Sequence, residues 1–418
     1  MHENRETSVV PEAVTGRSEK AEGRTLDMHA AEESDSGVVP MNQPNKSGPP
    51  QAEVGEGRSG IKENIAQSNT RPTQSGASVS QGLSGVRQRA RERKEEKFTA
   101  LLHHLTIDLL RESYFALQRK AAPGVDGKTW RQYGRRLEDR LADLHSRVHR
   151  GAYRAKPSRR VYIPKADGQQ RPLGIAALED KIVQQAVVTI LNQIYEADFK
   201  GFSYGFRPER SPHQALDALY VGLVRSKVNW VLDADIRSFF DRMSHEWTMQ
   251  LVQHRVADNR ILRLIQKWLR AGVMEEGHWE KTEVGTPQGA VVSPLLANVY
   301  LHYVIDLWVE AWRRKVARGQ VVVVRYADDL VVGFQSKADA ERFLKEFGER
   351  LAKFGLELHP ERRGYWSSAD SRRWTGASGE RRNRKRSRSW DSPINVGLVR
   401  GACSWFGARR QTSEWWQS

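Results

Sequence analysis

One cysteine, Cys403, stands in 418 residues, which excludes a disulfide framework within the chain and any multi-cysteine zinc site. A reduced cytoplasmic compartment is the simplest expectation. No apolar run approaches the roughly 18–20 residues that a membrane span needs, so no membrane is expected among the partners. The N-terminus, Met1-His2-Glu3-Asn4-Arg5-Glu6, lacks the apolar core of a secretory signal. Nor does an aromatic residue occur before Phe98. The segment ahead of it, rich in Ser, Gly, Glu and Gln, cannot bury enough apolar surface to offset the entropy of ordering. It reads as disordered over residues 1–82.

What the chain has in excess is positive charge, a net +16. Lys and Arg gain affinity by displacing counterions from phosphates, so a polyanionic partner is expected. Val86-Arg87-Gln88-Arg89-Ala90-Arg91-Glu92-Arg93-Lys94 has helix-forming composition; it suits an RNA-contacting helix or a solvated lead-in helix equally. Apolar residues at helical spacing (Ile182, Val183, Ala186, Val187, Ile190, Leu191, Ile194) predict a core helix over 178–198. Two helices are expected around Ala257-Asp258-Asn259, the second carrying Ile261, Leu264, Ile265, Trp268 and Leu269. Another is expected over 338–355, with Ala340, Phe343, Leu344, Phe347, Leu351 and Phe354 on one face. Strand pairs alternating with such helices give an α+β class, an antiparallel sheet with helices packed on one face.

Tyr326-Ala327-Asp328-Asp329 lies between Val321-Val322-Val323-Val324 and Leu330-Val331-Val332. Two β-branched runs around a short acidic tip read as a hairpin that presents adjacent carboxylates on a stiff support. Hard oxygen ligands of this kind suit Mg²⁺, although Asp-Asp at a turn is commonly just solvated. A second acidic strand, Trp230-Val231-Leu232-Asp233-Ala234-Asp235-Ile236, lies upstream and is followed by Arg237-Ser238-Phe239-Phe240-Asp241. Two-metal phosphoryl transfer needs carboxylates from different elements, and Asp235 with Asp328 could supply them. Asp233 is read as a strand-end residue pointing away, although alternation alone puts it on the face of Asp235.

Together with four further stretches, these strands resemble the bacterial group II intron-encoded reverse transcriptases, or maturases. Ile163-Pro164-Lys165 through Arg171-Pro172-Leu173-Gly174-Ile175 resembles the first polymerase block of that family. Ser203-Tyr204-Gly205-Phe206-Arg207-Pro208 with Ser211-Pro212-His213 resembles the second. Gly285-Thr286-Pro287-Gln288-Gly289 with Ser293-Pro294-Leu295-Leu296-Ala297-Asn298 resembles the fourth, and Leu358-His359-Pro360-Glu361 the sixth. The basic helix and the Pro123-Gly124-Val125-Asp126-Gly127 loop resemble its N-terminal extension. The resemblance implies a right-hand polymerase: N-terminal extension and fingers over 83–228, then palm over 229–362.

It further implies an RNA-directed DNA polymerase that adds deoxynucleoside triphosphates to a primer 3′-hydroxyl, with two Mg²⁺ ions on Asp235, Asp328 and Asp329. Lys165 and Arg171 match its triphosphate clamp, and Gln288 and Gly289 its nucleotide pocket. One of Phe239 and Phe240 matches the ring that blocks a ribose 2′-hydroxyl; Phe240 is preferred and Phe239 assigned to core. Tyr204, Arg207 and Arg210 look like template contacts, with plain loop packing the other reading for Tyr204 and Phe206. The implied partners are group II intron RNA, an RNA template and a DNA primer.

From about Arg362 the chain departs from the family: Arg362 and Arg363 stand where Lys and Thr are usual, and no thumb or maturase domain is recognisable. Residues 363–418 hold twelve basic and four acidic residues, half of the net charge, with six of the 13 Trp. They are read as a basic non-family tail, translated out of frame. Such a chain could instead be a non-polymerising RNA-binding splicing cofactor, or a reverse transcriptase of defence or diversification.

Overall fold

The computed structural model describes residues 74–164 and 170–367. Expectations that fall on residues 1–73, on Lys165 and the turn after it, or on 368–418 lie outside the described residues.

A helix spans Gln74–Glu92, so it begins inside the segment expected to be disordered. Leu83, Val86 and Ala90 form an apolar stripe at helical spacing in an otherwise polar stretch, and all three are buried. The stripe packs on the helix Leu178–Asp198, where Arg87 Nε donates to Gln193 Oε1 at 2.9 Å. Buried polar groups tie this extension down. Arg255 donates to the carbonyls of Ala90, Arg93 and Lys94 near the helix C-terminus, a favourable place for a cation. Asp258 Oδ2 accepts from the backbone N–H groups of Leu101 and Leu102 at 2.7 and 2.9 Å.

The helix Leu178–Asp198 buries all seven of the residues that predicted it. The expected pair around Ala257 is observed as His245–Val252 and Asn259–Leu269. The helix expected over 338–355 runs Lys337–Ala352.

Two four-stranded sheets organise the rest. The first joins β1 (Ser158–Pro164), β2 (Gln170–Ile175), β4 (Val273–Glu275) and β5 (His278–Glu280) in the order β2-β1-β4-β5. The second joins β3 (Trp230–Ile236), β6 (Val321–Tyr326), β7 (Asp329–Phe334) and β8 (Leu358–Ser367) in the order β6-β7-β3-β8, antiparallel throughout. Strand β8 runs through Arg362, where the family resemblance was expected to end.

Helices cover both faces of the second sheet rather than one. Leu232, Ala234, Leu330, Val332 and Val323 join the large core. Val231, Val331, Val322 and Val324 face the opposite way and pack with Ala215, Leu219 and Leu223 of the helix Pro212–Arg225. The unbroken valine run of β6 is the cause, because a strand apolar at every position must be buried on both faces. Asp233 lies mid-strand opposite Val331, so it is not a strand-end residue. Among the described residues, no helix is long and apolar enough to cross a membrane.

Candidate active site

The register of the second sheet gathers the acidic residues. Tyr326 pairs with Asp329 across a two-residue turn, Ala327-Asp328. On the other side of β7, Asp329 is the cross-strand partner of Asp235. Directly opposed residues point to the same face, so the Asp235 and Asp329 side chains share one side of the sheet beside the turn. Each is only 7% exposed; Asp328, in the turn, is half-buried. Asp233 occupies the same face, further from the tip.

The turn is strained. Ala327 has φ 55°, the left-handed region that two-residue hairpins require and that glycine normally occupies. Such a residue costs about 1–3 kcal/mol and persists only where its surroundings over-determine it. Here they do. Gly205 packs directly beneath, and a Cβ on it would lie 2.2 Å from Ala327 N. Tyr204 N donates to Arg325 O at 2.9 Å, and Arg325 N to Phe202 O at 2.8 Å. Asn298 Nδ2 donates to Gly205 O at 2.7 Å.

Behind the turn Arg325 is wholly buried and forms a bidentate pair with Asp306, Nε to Oδ1 at 2.6 Å and Nη2 to Oδ2 at 2.7 Å. It also donates to Ser203 Oγ at 2.6 Å, Asn298 Oδ1 at 3.2 Å and Ala327 O at 2.7 Å. Burial pushes the Asp306 carboxyl up, but the adjoining guanidinium outweighs this and holds it below the usual carboxylate range. Sequence reasoning missed this network. A signal existed: Arg325 shares a face with Val321 and Val323, and a charge on a buried strand face demands a partner.

Of the nucleotide candidates, Gln288 and Gly289 lie in the loop 285–290, and Phe240 meets that loop through its backbone. Thr286 N donates to Phe240 O at 2.9 Å, and Gly174 N of β2 to Gln288 O at 2.6 Å. That loop is thus pinned between the first sheet and the chain following β3. Gly289 has φ 107°, and a Cβ there would lie 3.1 Å from Gly174 O. Arg171 sits on β2 opposite Ile163. Phe239 and Phe240 do not continue the acidic strand: β3 ends at Ile236, Ser238 turns the chain with φ 49°, and both rings lie in a helical turn, Phe239–Arg242. Phe239 is 2% exposed and Phe240 8%. A groove of about 380 Å³ runs beside Gly289, lined by Leu117, Lys128, Trp130, Lys181, Gln185 and Pro294.

The template candidates separate. Arg207 is buried, with its guanidinium on Glu196 and on the carbonyls of Lys200 and Ser203. Tyr204 is 1% exposed and packs in the smaller core. Both are therefore structural anchors of the 203–210 loop rather than surfaces for RNA, because that loop folds under the acidic turn. Arg210 is half-buried, over the Tyr204 ring at 5.2 Å.

Among the described residues, no group of three or more His, Cys, Asp and Glu forms a ready metal cage. The donor set nonetheless fits a hard divalent ion. Mg²⁺ is usually held by one or two carboxylates, with water and substrate phosphates completing its octahedron, and Asp235 and Asp329 are such a pair.

Comparison with known proteins agrees with this architecture. Residues 163–378 match the family "Reverse transcriptase (RNA-dependent DNA polymerase)", a span that passes Arg362. "Protein YkfC" of Escherichia coli is 37% identical over 255 residues, covering 54% of this chain and 66% of that protein. "Group II intron-encoded protein LtrA" of Lactococcus lactis is 32% identical over 287 residues, covering 67% and 47%. An "Uncharacterized 91 kDa protein in cob intron" of Schizosaccharomyces pombe is 41% identical over 154 residues, covering 37% and 19%. The chain thus spans between about half and two thirds of the length of the first two relatives. With more than half of its residues inside the matched region and an acidic hairpin paired to a second acidic strand, this chain belongs to the reverse transcriptase family.

Proposed function

We propose that the chain is an RNA-directed DNA polymerase of the group II intron type, joining deoxynucleoside triphosphates to a primer 3′-hydroxyl on an RNA template. The observation that carries this reading is the pairing of Asp235 with Asp329 beside Asp328 in the turn. Two Mg²⁺ ions, when bound, would activate the primer hydroxyl and neutralise charge on the leaving pyrophosphate. Asp235, Asp328 and Asp329 would hold them. The catalytic contribution of the protein is then mainly positioning and charge placement.

Each remaining residue acts on the substrate directly. Arg171 on β2 and Lys165 would clamp the triphosphate, Arg by bidentate contact. Gln288 and Gly289 would line the nucleotide pocket, where the lack of a side chain on Gly289 allows close backbone approach. Phe240 would close the pocket against a ribose 2′-hydroxyl. Arg210 would contact template phosphate, which positions without reading sequence. The fingers would be the first sheet with its helices and the palm the second sheet. Group II intron RNA is the polyanion that the basic helix at the N-terminus would meet.

The test is primer extension on an RNA template with Mg²⁺, comparing wild type with Asp328→Ala. Wild-type extension, with the variant below about one per cent of it, is expected from the loss of a transition-state charge stabiliser. Equal absence in both, with intron RNA still bound, would instead identify a binding-only splicing cofactor.

A further inference from the structure

We infer that Arg325 and Asp306 are positioning residues that set the orientation of the Ala327–Asp328 peptide and thereby the spacing of the acidic side chains. The inference rests on the polymerase reading for its consequence, but its geometric content stands apart from activity.

A buried guanidinium is tolerated only when its donors are met. Arg325 has five N–H groups, and five bonds are formed: two to Asp306 and one each to Ser203, Asn298 and Ala327. Four of these fix the fork in space. The fifth reaches the carbonyl oxygen of Ala327, which belongs to the same peptide unit as Asp328 N. Holding that oxygen inward fixes the peptide plane from which Asp328 projects. The strained φ of Ala327 is therefore opposed by a charge-assisted hydrogen bond, one of the stronger restraints a fork can supply.

The helix that carries the partners is built for this contact. Asn298 and Asp306 lie eight positions apart, which in a regular α-helix is about 800°, some 80° past two full turns. They would not face one arginine. Residues His302–Asp306 instead form a π-helical turn, closed by Leu307 N–H donating to His302 O. The extra residue leaves about seven α-helical steps between the pair, roughly 700°, within about 20° of a common line. The wide turn thus brings Asp306 under the guanidinium that Asn298 already holds.

The experiment uses the full chain and two variants. Arg325→Met with Asp306→Leu removes both charges while keeping the volume filled, so neither is left buried alone. Arg325→Lys keeps the charge but loses the fork, and serves if the double variant fails to melt cooperatively. Four quantities are read: hydrogen exchange over the peptide 321–334, Mn²⁺ affinity by electron paramagnetic resonance, and the kcat and the KM of primer extension. Exchange at 326–329 should accelerate at least tenfold while the remaining sheet keeps its protection. Mn²⁺ affinity and kcat should each fall by about ten- to a hundredfold, the range for groups that orient metal ligands. The KM for the nucleotide should change less than about twofold, since uniform substrate binding is untouched. A cooperatively folded variant with unchanged exchange at 326–329 overturns the inference. A wild-type protein that binds no Mn²⁺ and extends no primer defeats the polymerase reading instead, and the exchange result still decides the role of the pair.

Discussion

Gly205 and Ala327 are in backbone contact: a methyl group on Gly205 would lie 2.2 Å from the Ala327 nitrogen and 2.9 Å from its Cα. No flexible side chain can yield there, so the acidic turn itself must move. Gly205→Ala should therefore reduce primer extension by at least about a hundredfold, since misplacement of about 1 Å can cost that much. Circular dichroism should show the fold retained. Wild-type extension rates in the variant would mean that the turn tolerates displacement.

Phe239 and Phe240 stand in one helical turn but at different depths. Phe239 has its ring edge-on to Tyr300 in the large core, and truncation to alanine should cost about 3–5 kcal/mol, measured by denaturant unfolding. Phe240→Val should cost less and change substrate choice, raising ribonucleotide incorporation relative to deoxynucleotide by at least about tenfold, the scale of steric discrimination in an apolar pocket. Swapped outcomes would exchange the two assignments.

Asp180 gives the stability a pH dependence. It is buried, accepts from Tyr153 OH and from Lys156 N, and burial pushes its carboxyl up to about 6 against the opposing pull of those two bonds. An acid raised in the folded state binds its proton more tightly there than in the unfolded chain. Its stabilising contribution is therefore full below about pH 4 and lost as pH rises through about 6, amounting to about 3 kcal/mol. Unfolding free energies measured from pH 4 to pH 7 should decline in wild type and flatten in Asp180→Asn.

The hairpin and its carboxylates were legible because valine runs and an acidic tip are local features, and the long helices because their apolar spacing is periodic. The depth of the 203–210 loop was not. Tyr204 and Arg207 have the side chains of RNA contacts, and only the pairing of Ser203 and Tyr204 with Arg325 shows that they turn inward. The start of the first helix was hidden by its polar surroundings, although Leu83, Val86 and Ala90 carried a weak stripe. The Arg325–Asp306 pair joins residues from separate elements, which no periodicity can report. The double-sided cover of β6, by contrast, is written in its four valines, although the alternation of strand pairs with helices predicts cover on one face.

The large core runs without a break from Leu83 to Leu358 and takes in the N-terminal extension, the helix Leu178–Asp198 and the inner face of the second sheet. These parts cannot swing against one another as rigid lobes without opening shared apolar packing. Strands β1 and β2 contribute no residue to that core, so under the proposed function any closure over a nucleotide would fall to them. Gly174 anchors the base of the pair, where a Cβ would lie 2.7 Å from Pro287 Cβ and 3.1 Å from Ser158 Cβ. Closure, on that reading, would be a small bend of one ribbon over a fixed floor.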